Sequence, residues 1–180
     1  LSALFDAVTP RTAGFNSTDT ASLSSGSFLL TIVLMFIGGS PGSTAGGVKT
    51  TTVFVILLHT LSGVRRQQSA NAFGRSIGDG ELKRATAVLF TNLRLALTGI
   101  VVICGVQALP LTDVLFECFS AIGTAGRSTG VTRALAPASR AVVIFLMYCG
   151  RVGSISFAVA LLEKKARPPV TLPPERITIG

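Results

Sequence analysis

Charge is scarce in this 180-residue chain: charged residues make up 13%, against about 25% in an ordinary soluble domain. Acids are the scarcest, eight Asp and Glu in all, and no pair of them is spaced for acid–base chemistry. There is no Trp and one Tyr. The net charge of +8 therefore comes without the interleaved aromatics of a nucleic-acid surface, and the basic residues flank apolar runs instead. Nucleic acid is excluded as a partner. One histidine, His59, has no second His and no neighbouring carboxylate to complete a metal site, and reads as a helix-face residue. Cys104, Cys118 and Cys149 lie in apolar surroundings without Cys-x-x-Cys spacing, which reads as reduced, buried cysteines.

What is present is apolar: 48% of the residues are hydrophobic, so the class is an all-α integral membrane protein. The organising stretch is Gly38-Gly-Ser-Pro-Gly-Ser-Thr-Ala-Gly-Gly-Val-Lys-Thr50. Phe28–Ile37 precedes it and Val53–Leu61 follows it. Neither run alone has the ~20 residues needed to cross a bilayer, but together they do. An irregular backbone in hydrocarbon leaves N–H and C=O groups unpaired. It is tolerated only where protein or a water-filled cavity surrounds it. A broken membrane helix thus points to a pore or a transport site.

Along the chain, residues 1–18 read as the end of a short helix and the turn after it, closed by Pro10. The opening Leu1-Ser-Ala-Leu-Phe lies inside an element, so the chain is expected to be the C-terminal part of something longer. Residues 19–63 form the broken span, with the intramembrane loop at 38–50, and 64–84 is an aqueous loop. A second span occupies 85–109, starting near Glu81 or Ala85, with Arg94 early enough in it to snorkel. Pro110 opens a shorter helix with Thr112 as the expected N-cap and Asp113 against its positive end. That helix stops near Ile122, too short to cross, and 110–132 reads as a re-entrant segment. A third span covers 137–163 and a basic, Pro-rich tail 164–180. Lys and Arg concentrate in 64–84 and 164–180, which places both, and the C-terminus, in the cytoplasm of a multi-pass protein. Thr12-Ala-Gly14 and Thr124-Ala-Gly126 then fall on the outer side.

These two stretches form an internal repeat. Phe5-Asp-Ala-Val-Thr-Pro-Arg-Thr-Ala-Gly14 and Phe116-Glu-Cys-Phe-Ser-Ala-Ile-Gly-Thr-Ala-Gly126 share aromatic, acid, small residues and Thr-Ala-Gly, offset by one position. A short helix aims its negative end into the membrane. The residues after it, with a glycine for unusual dihedrals, can turn carbonyl oxygens toward a dehydrated cation. Two such segments cannot close a ring, so two more are expected outside these residues.

At these residues the chain resembles the Ktr/Trk/HKT superfamily of potassium transporters, most closely the membrane subunit of Ktr-type systems. The matching stretches are Val8–Asn16, Phe36–Thr52, Phe73–Ile77, Phe119–Gly126 and Gly150-Arg-Val-Gly153, in the family's order. The resemblance implies helix–pore loop–helix repeats around one pore, with the end of the third repeat and all of the fourth present here. It implies that Thr12, Ala13, Gly14, Thr124, Ala125 and Gly126 line a potassium selectivity filter. Residues Gly38, Gly39, Ser40, Pro41, Gly42, Ser43, Thr44, Ala45, Gly46 and Gly47 would form a gate beneath it, with Arg151 facing that gate. It further implies potassium uptake across a prokaryotic cell membrane and a homodimer in lipid. The expected partner is a cytoplasmic nucleotide-binding (RCK-type) regulatory subunit. No cofactor is expected beyond potassium at the filter, and sodium is the candidate coupling ion.

Several residues leave alternatives open. Arg127 departs from the family's small or apolar residue after the filter glycine. It either stands at the outer mouth and repels potassium, or points sideways to an acid or carbonyls. Arg151, deep in an apolar helix, needs a partner or water, supplied by the gate loop or by other backbone. Lys49 snorkels or faces the cavity. Glu117 and Asp6 attract cations or brace the filter from behind, and Asn16 and Thr124 are also candidates for bracing. The rival functions are a nucleotide-binding protein and a non-transporting membrane scaffold. Gly42-x4-Gly47-Val-Lys49-Thr50 differs from a phosphate-cradling loop by one inserted residue, and a scaffold leaves the repeated Thr-Ala-Gly unexplained. No enzymatic activity is expected.

Overall fold

A computed structural model describes residues 2–153 apart from 12, 16–19, 21–22, 44, 66–69 and 73. Six α-helices follow in order: α1 (Ser2–Val8), α2 (Ser25–Phe36), α3 (Thr50–Val64), α4 (Asp79–Val106), α5 (Leu111–Ile122) and α6 (Pro137–Val152). A two-stranded antiparallel hairpin, β1 (Ala70–Ala72) and β2 (Arg75–Ile77), sits between α3 and α4. The described chain is thus mostly helical rather than wholly so. Gly74, with φ 75°, supplies the left-handed residue that turns this hairpin.

The apolar stretch at 27–63 is interrupted. Helix α2 has 12 residues and α3 has 15, which is about 18 and about 22 Å of rise. Each falls short of the ~30 Å hydrocarbon thickness, and the two in series with the segment between them do not. Ser24 caps α2 by accepting from the Ser27 N–H. Helix α4 is the one helix among the described residues that is long and apolar enough to cross a membrane, over Gly80–Val106. Its 28 residues rise about 42 Å.

Three expectations change. The N-cap of α5 is Pro110, without a side-chain cap bond, so Thr112 is a helical residue. Proline can hold the extended cap conformation (φ −55°, ψ 128°), and it lacks only an N–H the helix start cannot use. Helix α4 begins at Asp79 and ends at Val106, not at 85 and 109. Arg94 consequently lies midway along the helix, on an exposed face. Of the third span, α6 ends at Val152 with Gly153 (φ 90°) as its C-cap; residues 154–163, and the tail with Lys164, Lys165 and Arg167, lie outside the described residues.

Helices α4, α5 and α6 share one core, built from Ala96, Ile100 and Ile103, Val114, Cys118 and Ile122, and Val143 and Leu146. Helices α4 and α6 pack tightly at Gly99, where a Cβ would lie 2.7 Å from Leu146 Cδ1. Small residues at such crossings let membrane helices pack by van der Waals contact. Gln107 fixes the far end: it donates to the Ala134 carbonyl at 2.8 Å and accepts from the Ala136 N–H at 2.9 Å. A second core joins Ile32 and Met35 of α2 to Phe116 of α5 and Ala125. The ring pairs Phe28–Phe116 (5.1 Å) and Phe36–Phe119 (5.5 Å) tie these two helices together. Outside these cores, Leu29, Leu57, Phe90, Val101, Ile144 and Tyr148 are exposed, an apolar exterior of the kind lipid or neighbouring protein covers.

Candidate functional site

The segment between α2 and α3 is a pinched loop. Gly38 N–H donates to the Val48 carbonyl at 2.8 Å, Val48 N–H to Phe36 at 3.2 Å, and Thr50 N–H to Gly39 at 3.2 Å. These bonds bring the two helix ends together and use backbone groups that hydrocarbon would leave unpaired. A Cβ on Gly38 would run into the Gly46 carbonyl oxygen, so the neck closes only with glycine. At the tip, Ser40-Pro41-Gly42-Ser43 makes a turn with Ser43 N–H on the Ser40 carbonyl at 3.2 Å and φ 81° at Gly42. Pro and then Gly at the two central positions are what a type II turn requires. Ser40 to Ser43 are exposed, whereas Gly38, Ala45 and Gly46 are buried.

Lys49 folds back over this loop. Its Nζ donates to the Ser43 carbonyl at 3.3 Å and to the Ala45 carbonyl. A phosphate cradle needs N–H groups converging on an anion; here carbonyls converge on a cation. The Gly38 and Gly46 N–H groups are committed to Val48 and to Thr124.

The two Thr-Ala-Gly stretches come together. A Cβ on Gly14 would lie 3.0 Å from the Ala125 carbonyl oxygen and 3.8 Å from Gly126 Cα, and one on Gly126 would lie 3.5 Å from Gly14 Cα. Gly14 and Gly126 have φ of 73° and 77°, a conformation open to glycine at little cost. Ala13 and Gly126 are exposed, Gly14 and Thr124 half-buried, and Ala125 buried. Thr12, Asn16 and Thr44 lie outside the described residues, as does the side chain of Asp6.

Thr124 is the odd residue. It has φ 51°, the one positive φ at a non-glycine among the described residues, and a β-branched residue there is a true outlier. Such a conformation costs roughly 1–3 kcal/mol and persists only where its surroundings hold it. Several contacts do so. Thr124 N–H donates to Ala121 at 3.1 Å and Ala125 N–H to Ser120 at 2.9 Å, and Thr124 Oγ1 accepts from the Gly46 N–H at 2.9 Å. The loop after α2 and the turn after α5 are therefore joined directly, across 78 residues of sequence.

Glycines make this junction possible. A Cβ on Gly46 would collide with Thr124 and lie 2.9 Å from the Gly150 carbonyl oxygen. On Gly47 it would lie 3.2 Å from Gly123 Cα. On Gly123 it would collide with the Met35 carbonyl, and on Gly150 with the Ile122 carbonyl. The α2 terminus, the 38–47 loop, the turn after α5 and α6 meet here backbone to backbone. Arg151 is the next residue of α6, with an exposed side chain, and the Gly150 carbonyl before it lies beside Gly46.

Behind the turn, Glu117 is buried, and its Oε1 accepts from Thr132 Oγ1 at 2.9 Å and from Ser128 Oγ. Ser120 Oγ donates to the Arg127 carbonyl at 2.5 Å. The carboxylate thus ties the chain beyond Gly126 to α5. Arg127 has only 2% of its surface exposed and so does not project into an open mouth. The roles of Ser120, Ser128 and Thr132 had no signal in the sequence beyond the small-polar character of 120–132.

An apolar exterior, one helix of membrane-crossing length and composition among the described residues and backbone junctions made of glycine fit a helical membrane protein. Residues 1–167 match the family described as TrkH, cation transport protein. The chain belongs to that family. It is similar to the potassium/sodium uptake protein NtpJ of Enterococcus hirae, at 40% identity over 98% of this chain and 40% of that protein. It is also similar to the Ktr system potassium uptake protein B of Bacillus subtilis, at 40% identity over 88% of this chain and 36% of that protein. The protein of the same name from Vibrio alginolyticus is 31% identical over 96% of this chain and 37% of its own length. The chain thus spans about two fifths of the relatives it matches. All three are named as uptake proteins, none as an enzyme.

Proposed function

We propose that this chain forms part of a protein that takes up potassium across a prokaryotic cell membrane. Thr12-Ala13-Gly14 and Thr124-Ala125-Gly126 line its selectivity filter, the C-terminal ends of α1 and α5 point toward that filter, and 38–47 with Arg151 is the gate beneath it. The observation that carries the reading is the meeting of two repeated Thr-Ala-Gly turns at Gly14 and Gly126, with the irregular 38–47 loop bonded to one of them through Gly46. Positive φ at Thr124 and Gly126, on either side of Ala125, fits a segment whose successive carbonyls turn to one side, as replacement of an ion's hydration shell requires. The uptake activities named for the relatives support the same reading.

In this reading the ring is completed by two further repeats of the whole protein, which sits in lipid as a homodimer. A cytoplasmic nucleotide-binding subunit acts on the gate from the side of the 64–84 segment, and sodium is the candidate coupling ion. The test is uptake of potassium by cells that lack their own uptake systems and carry the full-length protein. Growth on low potassium should depend on the protein, and Gly126→Ser should lower the preference for potassium over sodium. Full-length protein that reaches the membrane yet neither restores uptake nor conducts in vesicles would reject the function.

A further inference from the structure

We infer that Thr124 is a latch as well as a filter residue: its hydroxyl holds the gate loop shut through the Gly46 N–H, so that gate position and ion selection are coupled in one side chain. The inference rests on the reading of 38–47 as a gate and of 124–126 as filter. Two observations converge on it. The Gly46 N–H donates directly from the loop to Thr124 Oγ1 of the turn at 2.9 Å. The residue that accepts this bond is also the one described non-glycine with positive φ. Strain of that kind persists where surroundings over-determine it and clusters at switch regions.

The consequence follows from elementary geometry. When the loop swings away, Thr124 loses its partner at Oγ1 together with one of the contacts that hold its backbone at φ 51°. Relaxation toward negative φ rotates the adjoining peptide planes, and with them the carbonyls on either side of Thr124. A filter with its gate open then differs in carbonyl geometry from one with its gate closed. Selectivity in the open state becomes a property of how far this residue relaxes.

The experiment compares Thr124→Val and Thr124→Ser with wild type in the full-length protein, reconstituted in vesicles. Potassium flux and potassium-over-sodium preference are both read. Valine keeps the β-branch and removes the acceptor; serine keeps the acceptor. Valine should raise flux, by about two- to twelvefold for loss of one ordinary hydrogen bond, and should lower the preference for potassium. Serine should change both by less than valine does. Equal behaviour of the two variants, or a valine variant with wild-type flux and preference, would overturn the latch. If valine does not assemble, Thr124→Ala takes its place, read by labelling of a cysteine at Ala45, which is buried in the seated loop. That site should label faster from the cytoplasmic side in the alanine background than in the Thr124 background, and an equal rate would overturn the latch as well. A variant lacking Ser40–Gly46, run beside these, separates the failures. Raised flux there with a silent valine variant removes the latch alone; unchanged flux in both removes the gate and the latch with it.

Discussion

Gly46→Ala puts the proposed gate under the most stringent stress the structure offers. An added methyl would lie 2.6 Å from Thr124 Cγ2 and 2.9 Å from the Gly150 carbonyl oxygen, and would run into Thr124 Oγ1. Two of those neighbours belong to a half-buried side chain in a constrained backbone and one is backbone itself, so relief by a small rotation is not available. Overpacking of this kind costs about 1–3 kcal/mol. The penalty falls on the arrangement in which the loop is seated against the turn, and an open loop does not carry it. The closed-to-open equilibrium should therefore move toward open by roughly 5- to 150-fold. The measured flux rises by less if the closed state already leaks. Rubidium uptake by cells deficient in potassium uptake reads the effect, with membrane abundance checked by immunoblot. Gly105→Ala is the control: nothing lies within 4 Å of its Cβ, and alanine in a helix is favoured by up to about 1 kcal/mol. Wild-type or reduced uptake by Gly46→Ala, at equal abundance, would refute the argument that the seated loop is the closed state.

Other perturbations test other parts. Glu117→Leu removes the acceptor shared by Ser128 and Thr132 and leaves them the 2.8 Å bond to each other, so one hydroxyl proton behind the turn loses its acceptor. The substitution should destabilise the folded protein by about 1–3 kcal/mol for that unsatisfied group, read as a lower melting temperature in detergent, while Glu117→Gln, which keeps an acceptor oxygen, should lose less. Lys49→Met releases the carbonyls of Ser43 and Ala45 and should raise potassium flux modestly, since the ammonium is partly solvated; unchanged flux would limit Lys49 to a structural part. Gln107→Leu removes both bonds between the end of α4 and the start of α6. It should cost about 1–3 kcal/mol of stability with little change in ion preference. Arg151→Ala should raise flux in the full-length protein, and lowered flux with normal abundance would exclude a gating role for this arginine.

Local chemistry was the legible part of this chain. The interruption between Phe36 and Thr50 showed because a run of glycine, serine and proline between two apolar runs can be neither helix nor lipid-facing strand. The stop of α5 at Ile122 showed because Gly123 follows it. The repeated Thr-Ala-Gly showed because identical letters stood in matched settings. What stayed hidden was long-range. No spacing rule links Gly46 to Thr124, 78 residues apart, and the necessity of glycine at 46, 123 and 150 becomes visible only when three backbones meet. Pro110 in place of Thr112 at the start of α5 reflects a choice between two adequate caps, decided by the extended approach of the chain. The misplacement of Arg94 came from an α4 that starts six residues earlier than 85. The charges at Glu81, Lys83 and Arg84 read as loop, although an exposed helical turn carries them well, with Glu81 and Arg84 3.6 Å apart.

The most direct test of the whole account asks whether the 38–47 loop is wet and on the ion path. A cysteine at Ser40, in full-length protein with its native cysteines replaced, is offered a membrane-impermeant thiol reagent from each side of sealed vesicles. The account predicts labelling from the cytoplasmic side, and a change of potassium flux on labelling. A site that labels from neither side, or labels without any effect on flux, would contradict it.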